Sequence, residues 1–192
     1  MSFPVGGSTR GGAVSVRGAH KENPREQSFN LDPGAGIYRP VDRKLSVSMG
    51  AGSISAELQT SSEFTRFNDN TKRCDGLVFK SKGTVVLPSD LSVTALGVVE
   101  DNIRMGFRVE KSMKLHLAAR VLADLDIVEI ELSGPQFSTP IRINDDFDRV
   151  LEIAKPGSYL LKGSYQLSVK LPNTGLGGRD IQIEMSATLT EV

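Results

Sequence analysis

The chain has 192 residues, and its 23 basic and 23 acidic side chains leave no net formal charge. This balance argues against a domain-wide surface for nucleic acid or anionic membrane. The single cysteine, Cys74, excludes an internal disulfide and a cysteine-based zinc site. The N-terminus lacks the pattern of a secretory signal, and no run of about 18 apolar residues predicts a membrane span. We therefore expect folding in the cytoplasm of the producing cell and no membrane partner.

Residues 1–43 are the first distinct segment, with 7 of the 19 glycines and 4 of the 9 prolines. The segment shows no period of 2 or 3.6, so it lacks an apolar face that could offset its ordering entropy. We predict an extended or disordered N-terminal arm in 1–43 and a folded domain in 44–192. We also expect that removal of residues 1–40 leaves this domain folded.

Two interpretations of the arm remain open. It is either a leader without a role or a segment that becomes ordered on a neighbouring copy of the chain. In the second case four of its six basic residues make the inter-subunit contacts. These residues are Arg10, Arg17, Lys21 and Arg25. So few basic residues predict weak or absent contact with nucleic acid.

Alternation of apolar and polar residues predicts strands through most of the domain. Residues 45–49 and 54–58 flank a glycine-rich turn and predict a hairpin. A second hairpin is predicted around the loop 80–83, because a glycine ends that loop. Residues 103–109 show a clear alternation, with one face for the core and the other for solvent or a partner.

Residues 113–125 allow two secondary structures. Met113, Leu117 and Val121 are spaced by four, and the segment is rich in good helix formers. The odd-numbered apolar residues also alternate with polar ones, and both neighbouring segments are strand-like. We favour a strand, with the helix as the alternative.

The end of the chain predicts two strands, 165–171 and 181–189, joined by a turn that contains Pro172 and three glycines. We expect a hairpin whose apolar face packs against a second sheet. About ten short strands are predicted in total. Their spacing predicts an all-β, antiparallel β-sandwich, either jelly-roll or immunoglobulin-like, preceded by the extended N-terminal arm.

Catalytic and metal-binding groups are scarce. Nucleophilic catalysis needs a positioned base, and the chain offers only His20 in the arm and His116 on a predicted wet face. Two histidines and one cysteine are too few for a typical transition-metal site. We predict that the protein is not an enzyme and uses no cofactor.

One oxygen-rich stretch resembles a calcium ligand set, because Asn144, Asp146 and Asp148 alternate. The pattern fits poorly, since Arg149 occupies the position of the EF-hand glycine and no glutamate follows at the required spacing. Asparagine and aspartate are also the residues that a turn prefers without any metal. We predict no metal site here.

The organisation of the chain favours a structural function. An arm, a neutral sandwich and no catalytic groups predict a protein that self-associates into a larger assembly. A virion component fits this pattern: a small coat, decoration or head or tail accessory protein, with copies of itself and other virion proteins as partners. The alternative is a monomeric binding module for carbohydrate, peptide or calcium.

Overall fold

The computed structural model describes residues 3–18, 23–31, 38–49, 54–87, 95–123, 127–137, 139, 141–143, 146–171 and 178–191. Within these residues the chain forms β-strands and no helix. The strands are β1 Phe3–Pro4, β2 Thr9–Gly18, β3 Arg25–Leu31, β4 Val41–Met49, β5 Ile54–Thr65, β6 Arg73–Cys74, β7 Gly76–Val86, β8 Ala95–Val109, β9 Met113–Ala123, β10 Ile127–Ser133, β11 Ile141–Ile143, β12 Phe147–Ile153, β13 Gly157–Leu171 and β14 Gly178–Glu191.

Two six-stranded antiparallel sheets pack face to face, and the predicted β-sandwich is confirmed. Sheet A has the strand order β11-β10-β13-β8-β2-β3, and sheet B has the order β12-β9-β14-β7-β5-β4. Period-2 alternation places the core between them. On β8, for example, Ile103 and Met105 are fully buried, whereas Arg104 is exposed.

Strands β7–β14 follow the order of a jelly roll. Counted from one to eight along the chain, they give the order 1-8-3-6 in sheet B (β7-β14-β9-β12). In sheet A they give the order 2-7-4-5 (β8-β13-β10-β11). These two orders are those of an eight-stranded jelly roll with two Greek keys. Of the two predicted sandwich types, the structure therefore has the jelly roll.

Strands β2–β5 add one hairpin to each sheet. β2 and β3 extend sheet A beyond β8, and β5 and β4 extend sheet B beyond β7. We call residues 3–65 the N-terminal annex and residues 76–191 the jelly-roll body. Residues 66–75, which include β6, connect the two.

The annex corrects the prediction of an extended arm in 1–43. Residues 9–18 and 25–31 are strands of sheet A, with β2 between β8 and β3. The inward positions of β2 include Arg10 and Gly12 as well as Val14 and Val16. Because two of these four inward positions hold an arginine and a glycine, the sequence lacks the alternation of apolar and polar residues that predicts a strand.

The two last strands exist as predicted, but they do not form a hairpin. β13 pairs with β8 and β10 in sheet A, while β14 pairs with β7 and β9 in sheet B. The two strands lie on opposite sides of the core, where Leu167 and Ile183 are both fully buried. The turn predicted between them, 172–177, lies outside the described residues.

Three further sequence predictions have clear outcomes. The hairpin of β4 and β5 is confirmed, with Met49 paired to Ile54. Residues 113–123 form a strand, not a helix. The hairpin predicted around 80–83 is wrong, because β7 continues through this segment and Gly83 takes an inward position.

Candidate functional site: a buried polar junction and an outer groove

A cluster of polar side chains lies in the core, at the boundary between annex and body. We call it the polar junction. Its five residues all occupy inward positions on different strands, and both sheets contribute. They are Arg10 on β2, Thr60 on β5, Ser81 on β7, Asp101 on β8 and Tyr165 on β13.

The centre of the polar junction is an ion pair between Arg10 and Asp101, whose side chains are fully buried. Both terminal nitrogens of the guanidinium donate to the carboxylate, and the Nη2–Oδ2 distance is 3.0 Å. Nη1 also donates to the carbonyl oxygens of Asn102 at 2.6 Å and Gly11 at 2.9 Å. Nη2 also donates to Thr60 Oγ1. This two-pronged geometry is the strong form of an arginine–carboxylate contact.

The Asp101 carboxylate has further donors from the body. Ser81 Oγ donates to Oδ2, and the backbone N–H of Asn102 donates to Oδ1 at 2.9 Å. Ser81 Oγ also lies 3.0 Å from Tyr165 Oη. Burial, together with the nearby Asp101 charge, raises the pKa of Tyr165 well above its usual range. The phenol therefore stays neutral, and the only full charges of the polar junction are those of the ion pair.

Two aromatic rings flank the Arg10 guanidinium. Its central carbon lies 5.3 Å from the ring centre of Phe29 on β3 and 4.8 Å from that of Phe79 on β7. Such contacts favour a cation, most strongly where water is absent. Arg10 therefore contacts β3 and β5 of the annex and β7 and β8 of the body. The five side chains of the polar junction are buried, and their contacts join the annex to the body.

The four residues predicted to make inter-subunit contacts lie in different environments in the structure. Arg10, expected to reach a neighbouring copy, lies in the core of its own chain, because Asp101 offers it a buried counter-ion. Arg17 is exposed on β2. Arg25 donates to the backbone carbonyl of Ser48 at 3.0 Å and so links the edge strands β3 and β4. Lys21 lies outside the described residues.

Sequence reasoning missed the partner of Arg10. Asp101 lies in the middle of a polar triplet, Glu100-Asp101-Asn102. In the structure β8 continues through it, and Asp101 is in phase with the buried Val99 and Ile103. The two-residue spacing that separates Asp101 from both of these apolar residues is the one sequence signal that could have identified it as a core residue.

Asp146 and Asp148, two of the residues that resemble a calcium ligand set, are engaged in other contacts. Asp146 Oδ1 accepts a hydrogen bond from the backbone N–H of Val121 at 2.9 Å. Asp148 Oδ1 lies 2.6 Å from His116 Nε2 on the outer face of sheet B. Asn144 lies outside the described residues. Among the residues that the structure describes, no three histidines, cysteines or acidic residues are grouped as a metal site.

The outer face of sheet B carries a groove of about 560 Å³. Small or aliphatic side chains of β7, β14 and β9 form its floor, and charged side chains together with the start of β12 form its walls. The floor is Val78, Ser186 and Ala118; the walls are Lys80, Glu184, Arg120 and 146–148. The Lys80 and Glu184 side chains approach to 3.6 Å. This groove is open to solvent and could accept a ligand.

Comparison with known proteins gives no relative: no family model, no curated protein and no solved structure matches this chain. In the part of the chain that the structure describes, no helix is long and apolar enough to cross a membrane.

Proposed function

We propose that the protein is a non-enzymatic structural protein that self-associates into a larger assembly. A virion component is the assembly that we favour: a small coat, decoration or head or tail accessory protein, with copies of itself and other virion proteins as partners. The jelly-roll order of β7–β14 carries the proposal, because many viral capsid proteins use this fold. The step from fold to function is one of analogy, since a fold can host several functions.

Jelly rolls also occur in lectins and in cupins, whose ligands or metals bind to the barrel. Here buried apolar side chains of both sheets form one continuous hydrophobic cluster around the polar junction. His116, the histidine that the structure describes, lies on the outer face of sheet B with a side chain that is 52% exposed. These features favour a structural role over catalysis inside the sandwich.

The two lateral sides of the sandwich differ in a way that suits self-association. On one side the edge strands β3 and β4 are linked by Arg25 and by Gln27 Oε1, which accepts from the Ser46 backbone N–H at 3.2 Å. On the other side β12 is the edge strand of sheet B, and Val150 on it is 60% exposed. An edge strand with an exposed valine can pair with a neighbouring subunit.

The test is the mass of the full, untagged chain, measured by light scattering over a concentration series with negative-stain images of the same samples. We expect discrete particles, rings or tubes. The variant Val150→Lys should weaken assembly, whereas Val86→Lys, at a 42% exposed valine on the interior strand β7, should leave it unchanged. A 20.7 kDa monomer at every concentration would contradict the proposal.

The groove on sheet B favours a second candidate, a monomeric binding module. Its volume lies within the usual range of small-ligand sites, roughly 300–1,000 Å³. The test is calorimetric titration of the monomer with calcium, glycans and peptides. Binding that is lost in Ala118→Leu, which fills the floor, but kept in Val86→Lys would support this candidate.

A further inference from the structure

The annex and the body are joined in an unusual way. The body contains the complete eight-stranded order of a jelly roll, so its path does not depend on the annex. The annex is one continuous segment, and only residues 66–75 connect it to the body. A segment with a single connection can move to another copy of the chain without any other change in chain path.

The contacts between annex and body suit such an exchange. β2 pairs with β8 along its whole length, from Thr9 opposite Arg104 to Gly18 opposite Ala95. β5 pairs with β7 from Ser55 to Thr65. Arg10 then adds the buried ion pair with Asp101. A second copy offers the same β7, β8 and Asp101. An exchanged annex can therefore make the same contacts with the second copy as it makes within its own chain.

The difference between the two arrangements therefore lies in the connection, residues 66–75. Arg66 has a φ angle of 52° and Lys72 one of 51°. Both side chains have a Cβ, so the left-handed conformation is strained at these positions. A connection that opens into an extended segment releases this strain, and strained hinge loops favour exchange between copies.

The connection has a buried part and an exposed part. Cys74 lies in the core and β6 pairs with β1, whereas the contacts around residues 66–72 are mostly exposed. Arg66 Nη1 lies 3.2 Å from Asp75 Oδ2, and the Arg66 side chain is 84% exposed. Asn68 Oδ1 accepts from the backbone N–H groups of Asn70 and Thr71. Exposed ion pairs contribute little. Opening therefore relieves two strained residues and loses the exposed contacts, while the annex of a second copy can remake the β1–β6 pairing beside the buried Cys74.

We infer that the annex is exchanged between subunits: residues 3–65 of one copy complete the sheets of another copy, with residues 66–75 as the hinge. The inference rests on the proposed self-association and adds the annex as a second contact between subunits, beside the β12 edge. Reciprocal exchange closes a dimer, whereas exchange from one copy to the next builds a ring or an open chain.

The experiment uses cysteine cross-links across the boundary between β2 and β8. Ser15 and Val98 lie directly opposite each other in this ladder and on the outer face of sheet A. The pair Ser15→Cys/Val98→Cys is oxidised in the assembled fraction and run on a non-reducing gel. The native cysteine is buried and stays in place. We expect covalent dimers or ladders, because the two cysteines belong to different chains.

A matched control pair lies within the body. Asn102 and Ser164 face each other on β8 and β13, both on the outer face of sheet A. The pair Asn102→Cys/Ser164→Cys should give only monomeric bands in the same fraction. Interchain bands from this control would show that subunits cross-link through random contacts. The bands from the first pair would then no longer support the exchange.

A second variant tests the hinge. Arg66→Gly/Lys72→Gly relieves the strain of the closed connection, so it should lower the fraction of interchain cross-links at least twofold. An unchanged fraction would overturn the role of the strained hinge. Assemblies with only intrachain cross-links would overturn the exchange and leave the proposed function intact. Absence of any assembly would instead contradict the proposed function itself.

Discussion

At the scale of single residues, the feature that most distinguishes this core is a buried pair of full charges. A sandwich interior normally contains apolar side chains, and transfer of an ion into it is costly unless a counter-ion and hydrogen bonds are present. Arg10 and Asp101 provide these for each other, with Thr60 and Ser81 as further partners. The burial of each charge is therefore stabilised by the other charge.

Removal of one partner should be strongly destabilising. We expect Arg10→Met to lower the free energy of unfolding by about 3–5 kcal/mol, because the Asp101 charge stays buried without its cation. The double variant Arg10→Met/Asp101→Leu should cost less than either single change. Urea unfolding followed by circular dichroism measures these values.

The control for this prediction is an exposed ion pair. Lys44 and Glu57 approach to 3.0 Å with side chains that are 63% and 43% exposed. Lys44→Met should change the free energy of unfolding by less than about 1 kcal/mol. A similarly small effect of Arg10→Met would contradict the importance of the buried pair.

The buried thiol makes stability depend on pH. Burial raises the pKa of Cys74 from its usual 9.0 to about 12. The folded state therefore keeps a proton that the unfolded state releases between pH 9 and 12. This contribution to stability is complete below pH 9 and is lost as the pH rises, by up to about 1.4 kcal/mol per pH unit.

The measurement is the free energy of unfolding between pH 8 and 11 for the native chain and for Cys74→Ala. The native chain should lose stability with the steeper slope. Tyr165, whose pKa is also raised, adds the same loss above pH 10 to both proteins. Parallel slopes would mean that the thiol ionises as easily in the folded chain as in the unfolded one.

At the scale of strands, glycines on inward positions set how closely the sheets approach. Gly83 on β7 faces Tyr165 and Val99, and a methyl group there would lie 2.9 Å from atoms of both. Gly97 on β8 faces Val85 of the opposite sheet, and a methyl group there would overlap a Val85 methyl. These strands therefore need glycine for packing between the sheets, not for a turn.

Gly97→Ala tests this packing. Overpacking in a close-packed core costs typically 1–3 kcal/mol, so we expect the free energy of unfolding to fall by about that amount. Gly6→Ala is the matched control, because a methyl group at Gly6 has nothing within 4 Å. Equal stability of both variants would show that the sheets separate easily at β8.

At the scale of the whole molecule, the annex completes both sheets. Without it, β7 and β8 become open edges, and Asp101 loses its cation. The sequence alone predicted that residues 1–40 can be removed from a folded domain, and these contacts lead us to the opposite prediction. The same dependence gives the annex its proposed role in joining one subunit to the next.

Truncation of residues 1–40 should prevent cooperative folding of the remaining chain. We expect loss of the near-ultraviolet circular dichroism signal and strong binding of a hydrophobic dye, since exposed apolar surface replaces β2 and β3. Removal of Met1 and Ser2 alone is the control and should change neither signal. A truncated chain that unfolds cooperatively would show that the annex is dispensable for the body.

The sequence by itself determined where most strands lie and which of their faces are buried. Alternation is a local property, so β4, β5, β9 and the inward residues of β8 could be predicted from it. Of the polar junction, Arg10 could be named as a distinctive residue, but its burial and its partner could not. Their positions depend on strands that are distant in sequence.

Tertiary structure alone decided which strands pair. β13 and β14 have identical patterns whether they form a hairpin or lie in opposite sheets, because alternation specifies a buried face but not a hydrogen-bonded neighbour. It also decided that β2 belongs to the core. An arginine is compatible with the interior only where a distant carboxylate, here Asp101, meets it, and only the packed fold brings the two together.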